Sequence, residues 1–214
     1  TIHTNQALVN LVQQSLVENG LPGSCVQFIN SPDRKCVMDL LGMADTIDML
    51  IPRGGAALHQ FCRENSRIPV ITGGIGICHL FVDESADLDA SLRLIHNAKT
   101  QRPSVCNALD TVLVHQAVAA ELLPRMVRVL AKSGVTFRAD PIAMAILQDS
   151  DAKVFPTADV DFDTEWLSVT SGVKVVEGLV EAIGQIATHN TGHSDGLLTG
   201  NTDNADRFVR MVDS

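Results

Sequence analysis

Residues 77–115, ICHLFVDESADLDASLRLIHNAKTQRPSVCNALDTVLVH, hold the pattern that decides the fold. Ile77–Asp83 reads as a strand, Asp87–Lys99 has the apolar spacing of a helix, and Leu109–His115 alternates as a second strand. A strand, a helix and a strand in this order make a βαβ unit, whose two strands run parallel.

Working outward, the same alternation continues in both directions. Upstream, Leu8, Leu11, Val12 and Leu16 follow the helical period and Gly20 closes that helix. Ser24–Ile29 (SCVQFI) predicts a strand, and Pro32–Met43 a helix opened by Ser31 with Pro32 in its first turn. Thr46–Pro52 (TIDMLIP) predicts a strand, Gly54–Asn65 a helix, and Ile68–Gly74 (IPVITGG) a strand that ends in glycine. Downstream, Gln116–Lys132 is a long helix ended by Gly134, and Val135–Ala139 is a strand. Asp140 and Pro141 start another helix as N-cap and first residue. Val173–Glu177 and Ser194–Thr199 are strands around a helix from Gly178 to His189, and a last helix starts at Thr202. The fold class is α/β, with mainly parallel sheets and flanking helices.

Composition narrows the function classes. The chain has 214 residues, 45% hydrophobic and 19% charged, with a formal net charge of -9. That balance is globular and argues against a nucleic-acid backbone as partner, while leaving room for a small phosphorylated molecule. No stretch approaches the roughly 20 apolar residues of a membrane span, and no secretory signal opens the chain. The five cysteines, Cys25, Cys36, Cys62, Cys78 and Cys106, are odd in number and lack CxxC spacing. They read as free thiols in a reducing cytoplasm, with no metal site.

Three places could carry chemistry. Pro52, Arg53, Gly54 and Gly55 stand between a strand and a helix start, where free N–H groups, the helix dipole and Arg53 suit a phosphate. A plain tight turn explains the same residues. Gly73, Gly74 and Gly76 read equally as a bend or as a ligand contact. Cys106 is the third. Pro103 and Ser104 make its segment a loop, Arg102 favours a thiolate and Asn107 offers an amide donor. The other four cysteines fall on strand or helix faces and read as small buried apolar residues. His189 and His193 lie four apart, but Thr191 and Gly192 interrupt any helix between them, so a polar-substrate loop suits them better than zinc.

The stretches IPRGGAALHQFCRENSRIPVITGGIGICHLFVDESADLD and NAKTQRPSVCNALDTVLV, with HSDGLLT, resemble the gamma-glutamyl phosphate reductases of the aldehyde dehydrogenase superfamily. The likeness runs through nearly the whole chain. It implies NADPH-dependent reduction of L-glutamate 5-phosphate to L-glutamate 5-semialdehyde and phosphate, through a cysteine thioester, in cytoplasmic proline biosynthesis. Both the single-function form and the reductase half of a bifunctional enzyme share these motifs. The resemblance also implies a homo-oligomer and makes glutamate 5-kinase a candidate partner. It puts the nucleophile at Cys106 beside Asn107, the cofactor diphosphate at Arg53, Gly54 and Gly55, and the nicotinamide ribose at Glu165. Glu165 can also be read as one acid of a surface run with Asp159, Asp161 and Asp163. Arg102, Asn190 and His193 are the candidates for the substrate's carboxylate and amine.

Where hydrolytic members of the superfamily carry a Glu base, this chain has Ile71. A side chain that cannot activate water suits an enzyme that must protect a thioester. The same likeness implies that residues 1–74 are the later part of a cofactor domain and 75–214 most of the catalytic domain. It further implies absent segments on either side, including an Asn of the oxyanion hole. The alternative is a catalytically silent fold unit or self-associating fragment of such an enzyme.

Overall fold

The computed structural model describes residues 2–158 and 160–214, and the chain divides into two compact units, Thr1–Gly73 and Gly74–Ser214. The first unit is mostly helical. It holds α1 (Ile2–Glu18), a 3-10 turn at Gly23–Cys25, α2 (Lys35–Leu41) and α3 (Ala56–Asn65). Gly20 sits at φ +77° beyond α1, and the Leu21 N–H bonds back to the Leu16 carbonyl, closing the helix through a left-handed residue.

Four expectations for this unit need correction. Ser24–Ile29 forms no strand; the 3-10 turn occupies its start and Cys25 is exposed. Thr46–Pro52 and Ile68–Gly74 contribute only the single parallel bridge Leu50–Val70. Their apolar pattern is that of strands, but a strand is defined by a ladder, and each here has one bridge. The second helix begins at Lys35, because side chains hold the approach in turns instead. Ser31 Oγ accepts from the Asp33 N–H at 3.2 Å, and Asp33 Oδ1 accepts from the Lys35 N–H at 2.9 Å.

The second unit is a six-stranded sheet with helices on both faces. Its elements are β1 (His79–Val82), α4 (Leu88–Thr100), β2 (Thr111–His115), α5 (Gln116–Ala131), β3 (Thr136–Ala139), α6 (Pro141–Ile146), β4 (Val154–Pro156), β5 (Thr170–Val176), α7 (Leu179–His189), β6 (Asp195–Leu198) and α8 (Thr202–Met211). The strand order is β4-β3-β5-β2-β1-β6, and every pairing is parallel. β4 is an edge strand that the alternation in sequence does not reveal; Pro156 lies at its end, where a missing donor is tolerated.

Successive residues of β2 point to opposite faces. Val112 and Val114 join the apolar cluster under α4, α5 and α6, while Leu113 joins Phe81, Ile183, Ile186 and Phe208 under α7 and α8. Both faces are therefore covered, as a parallel sheet requires. The helices start where side chains cap them: Asp87 accepts from the Ala90 N–H, Asp140 from the Ala143 N–H, and Asn201 from the Asp203 and Asn204 N–H groups. Among the described residues no helix is long and apolar enough to cross a membrane.

Candidate active site

Parallel strands all begin at the same edge of their sheet. The order β5-β2-β1-β6 makes these four strands consecutive neighbours, so the four segments leading into them meet at that edge. Gly76–Cys78 leads into β1, the Cys106 loop into β2, Glu165–Trp166 into β5, and Thr191–Ser194 into β6.

The backbone of residues 76–79 is the seam of this assembly. Four successive N–H groups each donate to a side chain from another segment. Gly76 N–H reaches Glu165 Oε1 at 3.2 Å, Ile77 N–H reaches Thr191 Oγ1 at 3.0 Å, Cys78 N–H reaches Asp110 Oδ2 at 3.2 Å, and His79 N–H reaches Asp195 Oδ1 at 3.0 Å. Asp195 Oδ1 also holds His79 Nδ1 at 2.9 Å, with both side chains fully buried.

The Cys106 loop lies directly against this seam. A Cβ on Gly76 would stand 2.0 Å from the Cys106 carbonyl oxygen and 3.2 Å from His193 Cδ2, so only glycine admits this approach. The Cys78 thiol donates to the Cys106 carbonyl at 3.3 Å. Burial, reinforced by the anionic Asp110 and Asp195, pushes that thiol up to about 12, so Cys78 stays a neutral donor. Cys106 itself is exposed, in a turn closed by Val105 N–H to the Arg102 carbonyl and Ala108 N–H to the Val105 carbonyl.

Behind the loop stands a buried charged pair of segments. Lys99, at the end of α4, is completely buried and its Nζ donates to the Leu109 carbonyl at 2.7 Å. Burial lowers its ammonium to about 8, partly opposed by the attraction of Asp110. Burial likewise raises the Asp110 carboxyl, against the N–H groups of Trp166 and Cys78 that favour its ionised form.

Of the residues singled out in the sequence, Cys106, Glu165 and His193 come together here. His193 lies against Gly76, with Nδ1 4.0 Å from Cys78 Sγ and 2.9 Å from Ser194 Oγ. Arg102 and Asn107 are exposed on the loop itself. The Asn190 side chain turns back to accept from the Gly192 N–H at 3.2 Å. His189 goes elsewhere, to Asp163 at 2.7 Å, and no cluster of metal-holding side chains occurs among the described residues. Asp159 lies outside the described residues. Among the cysteines, Cys62 and Cys78 are buried as expected, Cys36 is half-buried, and the exposed Cys25 corrects the expectation that only Cys106 would face solvent.

Gly54 and Gly55 lie in the first unit, beside a cleft of ≈ 950 Å³ lined by Arg34, Lys35, Val37, Met38, Leu58 and Phe61 along with both glycines. A Cβ at Gly54 would meet Leu58 at 2.8 Å, whereas one at Gly55, the N-cap of α3, would meet nothing within 4 Å. Arg53 is exposed and does not line the cleft; its cations are Arg34 and Lys35, which the turn-centred sequence reading passed over. Ile71 is exposed, with its N–H on the Leu50 carbonyl. In the sequence Gly76 stands out only as one of a glycine group, and Asp110 carries no signal beyond being a carboxylate at the head of an apolar strand.

No protein-family model matches the chain. It is 53% identical over all 214 residues to the gamma-glutamyl phosphate reductase of Photorhabdus laumondii and 54% identical to that of Yersinia enterocolitica, spanning about half (51%) of each. The crystal structure of gamma-glutamyl phosphate reductase from Thermotoga maritima superposes on the whole chain with a TM-score of 0.91 and 41% identity, over 50% of that protein. An acetylating aldehyde dehydrogenase from Geobacillus thermoglucosidasius, 17% identical with a TM-score of 0.72 over 96% of this chain and 53% of its own, shares the fold. The chain is thus homologous along its whole length to the gamma-glutamyl phosphate reductases, and its fold is aldehyde dehydrogenase-like.

Proposed function

We propose that this chain carries the thiol site and part of the cofactor cleft of an NADPH-dependent reductase that converts L-glutamate 5-phosphate to L-glutamate 5-semialdehyde and phosphate, in proline biosynthesis. The observation that carries the reading is the exposed Cys106, held by its carbonyl against Gly76 and Cys78 at the meeting point of four strand starts. In this reading Gly74–Ser214 is most of the catalytic domain and Thr1–Gly73 the later part of the NADP-binding domain.

The cleft of the first unit fits a dinucleotide. Val37, Met38, Leu58 and Phe61 offer apolar surface to a purine, Arg34 and Lys35 offer charge to phosphate, and the open space at Gly55 leaves the α3 N-terminus approachable. Bound there, the cofactor supplies hydride. Everything else falls to the protein's own groups. The Cys106 thiolate attacks the acyl carbon, the carbon–oxygen bond to phosphate breaks, and phosphate leaves with the electron pair, giving a thioester. The Cys106 backbone N–H and the Asn107 amide are the donors for the oxyanion. After reduction, expulsion of the Cys106 thiolate frees the aldehyde. In this reading Arg102 and His193, on or beside the loop, meet the substrate's carboxylate and amine. Five free thiols suit a reducing cytoplasm.

The test uses the full-length protein with freshly generated L-glutamate 5-phosphate. NADPH oxidation should match phosphate release one to one, and Cys106→Ser should abolish both while NADPH still binds. Turnover retained in Cys106→Ser would remove this thiol from the mechanism. Assaying the chain alone beside the full-length protein tests the other reading, a silent fold unit.

A further inference from the structure

We propose that Asp110 is a positioning residue for Cys106: its carboxylate fastens the segments that flank the thiol loop to one another. The inference rests on the thiol reading above and extends it to a residue four positions downstream of the nucleophile.

Asp110 is 2% exposed, and both oxygens are used. Oδ2 accepts from the Cys78 N–H at 3.2 Å and Oδ1 from the Trp166 N–H at 3.0 Å. Its backbone extends the knot. Its N–H donates to the Cys78 carbonyl at 3.0 Å, and its carbonyl accepts from the Gly172 N–H at 2.8 Å. One residue therefore touches the seam before β1, the loop before β5 and β5 itself, while standing at the head of β2.

Each tie leads on to the thiol. Cys78, fixed through its N–H, donates its own thiol to the Cys106 carbonyl. Trp166, fixed through its N–H, follows Glu165, whose carboxylate holds the Gly76 N–H; Gly76 is the residue against which that same carbonyl packs. Leu109, immediately before Asp110, is pinned from the other side by Lys99 Nζ. The carbonyl of Cys106 thus sits between two contacts that both trace to one carboxylate.

A buried carboxylate is retained at a cost unless its hydrogen bonds and counter-charge offset it. A neutral core needs no such group at the head of an apolar strand. Asparagine tests the point, since it keeps one acceptor oxygen but turns an NH2 donor toward the other N–H. Either the Cys78 or the Trp166 amide then faces a donor.

The experiment compares Asp110→Asn with Ser171→Ala in the full-length protein. Ser171 Oγ donates to the Asp110 carbonyl at 3.4 Å, is equally buried, and touches neither carboxylate tie. Both variants should melt earlier. For Asp110→Asn, kcat per folded molecule should fall about 10²-fold, because a misplaced nucleophile costs rate rather than binding, with KM and the NADPH Kd changed less than about threefold. Amide exchange across residues 102–109 should speed up in Asp110→Asn and not in Ser171→Ala. Asp110→Glu, which keeps two acceptor oxygens on a longer arm, should recover part of the rate and serves as the test if Asp110→Asn does not fold. An Asp110 variant with wild-type kcat per folded molecule overturns the proposal, as does exchange no faster than in Ser171→Ala. A wild-type protein that releases no phosphate from the acyl phosphate overturns the functional reading instead, and the exchange comparison then decides the Asp110 question by itself.

Discussion

The two units differ in how much of their apolar pattern they turn into a core. Gly74–Ser214 buries Phe81, Val112, Leu113, Val114, Phe137 and Val173 completely, on both faces of a sheet. In Thr1–Gly73, α1 has no buried residue, Leu8, Leu11 and Val17 are exposed, and Leu41 and Cys62 are among the few side chains fully enclosed. The difference follows from pairing. The strands of the second unit pair in continuous ladders, the four inner ones with neighbours on both sides, whereas the strand-like segments of the first make one bridge. The division suits the chemistry proposed for each. A nucleophile must be held to fractions of an ångström, which a sheet edge can do, while a cofactor cleft between helices needs only shape and charge.

The predictions separate those two roles. The largest effect belongs to Cys106→Ser in the full-length protein. Acyl transfer should fall below about 10⁻³ of wild type, since an unactivated hydroxyl is a poor nucleophile, with the NADPH Kd unchanged. A comparable loss of cofactor affinity would blur the separation.

Gly76→Ala comes next. Its Cβ would overlap the Cys106 carbonyl, a backbone group, at 2.0 Å. We expect a loss of about 10²-fold in kcat and an earlier melt, again without a change in NADPH binding. Wild-type kcat in this variant would mean that the seam and loop can separate at no catalytic cost.

Gly55→Asp probes the other unit. Its side chain enters open space, so folding should be kept, while the added negative charge should weaken NADPH binding about tenfold or more. The rate at which iodoacetamide labels Cys106 should not change. In that labelling the competitor is Cys25, the other exposed thiol, and Cys62 and Cys78 should react last.

A further effect, on folding and not on rate or affinity, is the pH dependence of stability. Burial lowers Lys99 from 10.5 to about 8, so between these values the unfolded chain binds more protons than the folded one. Stability from this group therefore rises with pH across that window, by about 3 kcal/mol at most. Cys78, raised from 9.0 to about 12, acts with the opposite sign, which makes the difference between proteins the useful quantity. Melting curves from pH 8 to 10.5 should show Lys99→Met losing ground steadily to wild type. Parallel curves would place the ammonium in contact with water.

What sequence reveals and what it hides divides along similar lines. The strand and helix pattern of residues 77–115 and 135–199 survives because each segment is bounded by caps or glycines that act locally, such as Asp140 on the Ala143 N–H and Gly134 at φ +77°. The exposed loop position of Cys106 is legible because its segment's composition differs from the patterns around the other cysteines. Its neighbours are not. Asp110, Thr191 and Asp195 act on residues 32, 114 and 116 positions away, and no local spacing encodes such distances. The first unit misled in the converse way: SCVQFI and TIDMLIP have strand composition, yet composition says nothing about whether a partner lies alongside.

The central claim, that Cys106 takes the acyl group, is open to one direct measurement. Full-length protein is mixed with freshly generated L-glutamate 5-phosphate without NADPH, quenched in acid, digested and mapped by mass spectrometry. The account predicts one equivalent of phosphate released and a glutamyl increment on the peptide that contains Cys106, absent from Cys106→Ser. An increment on another residue, or phosphate released with every peptide unmodified, would contradict it.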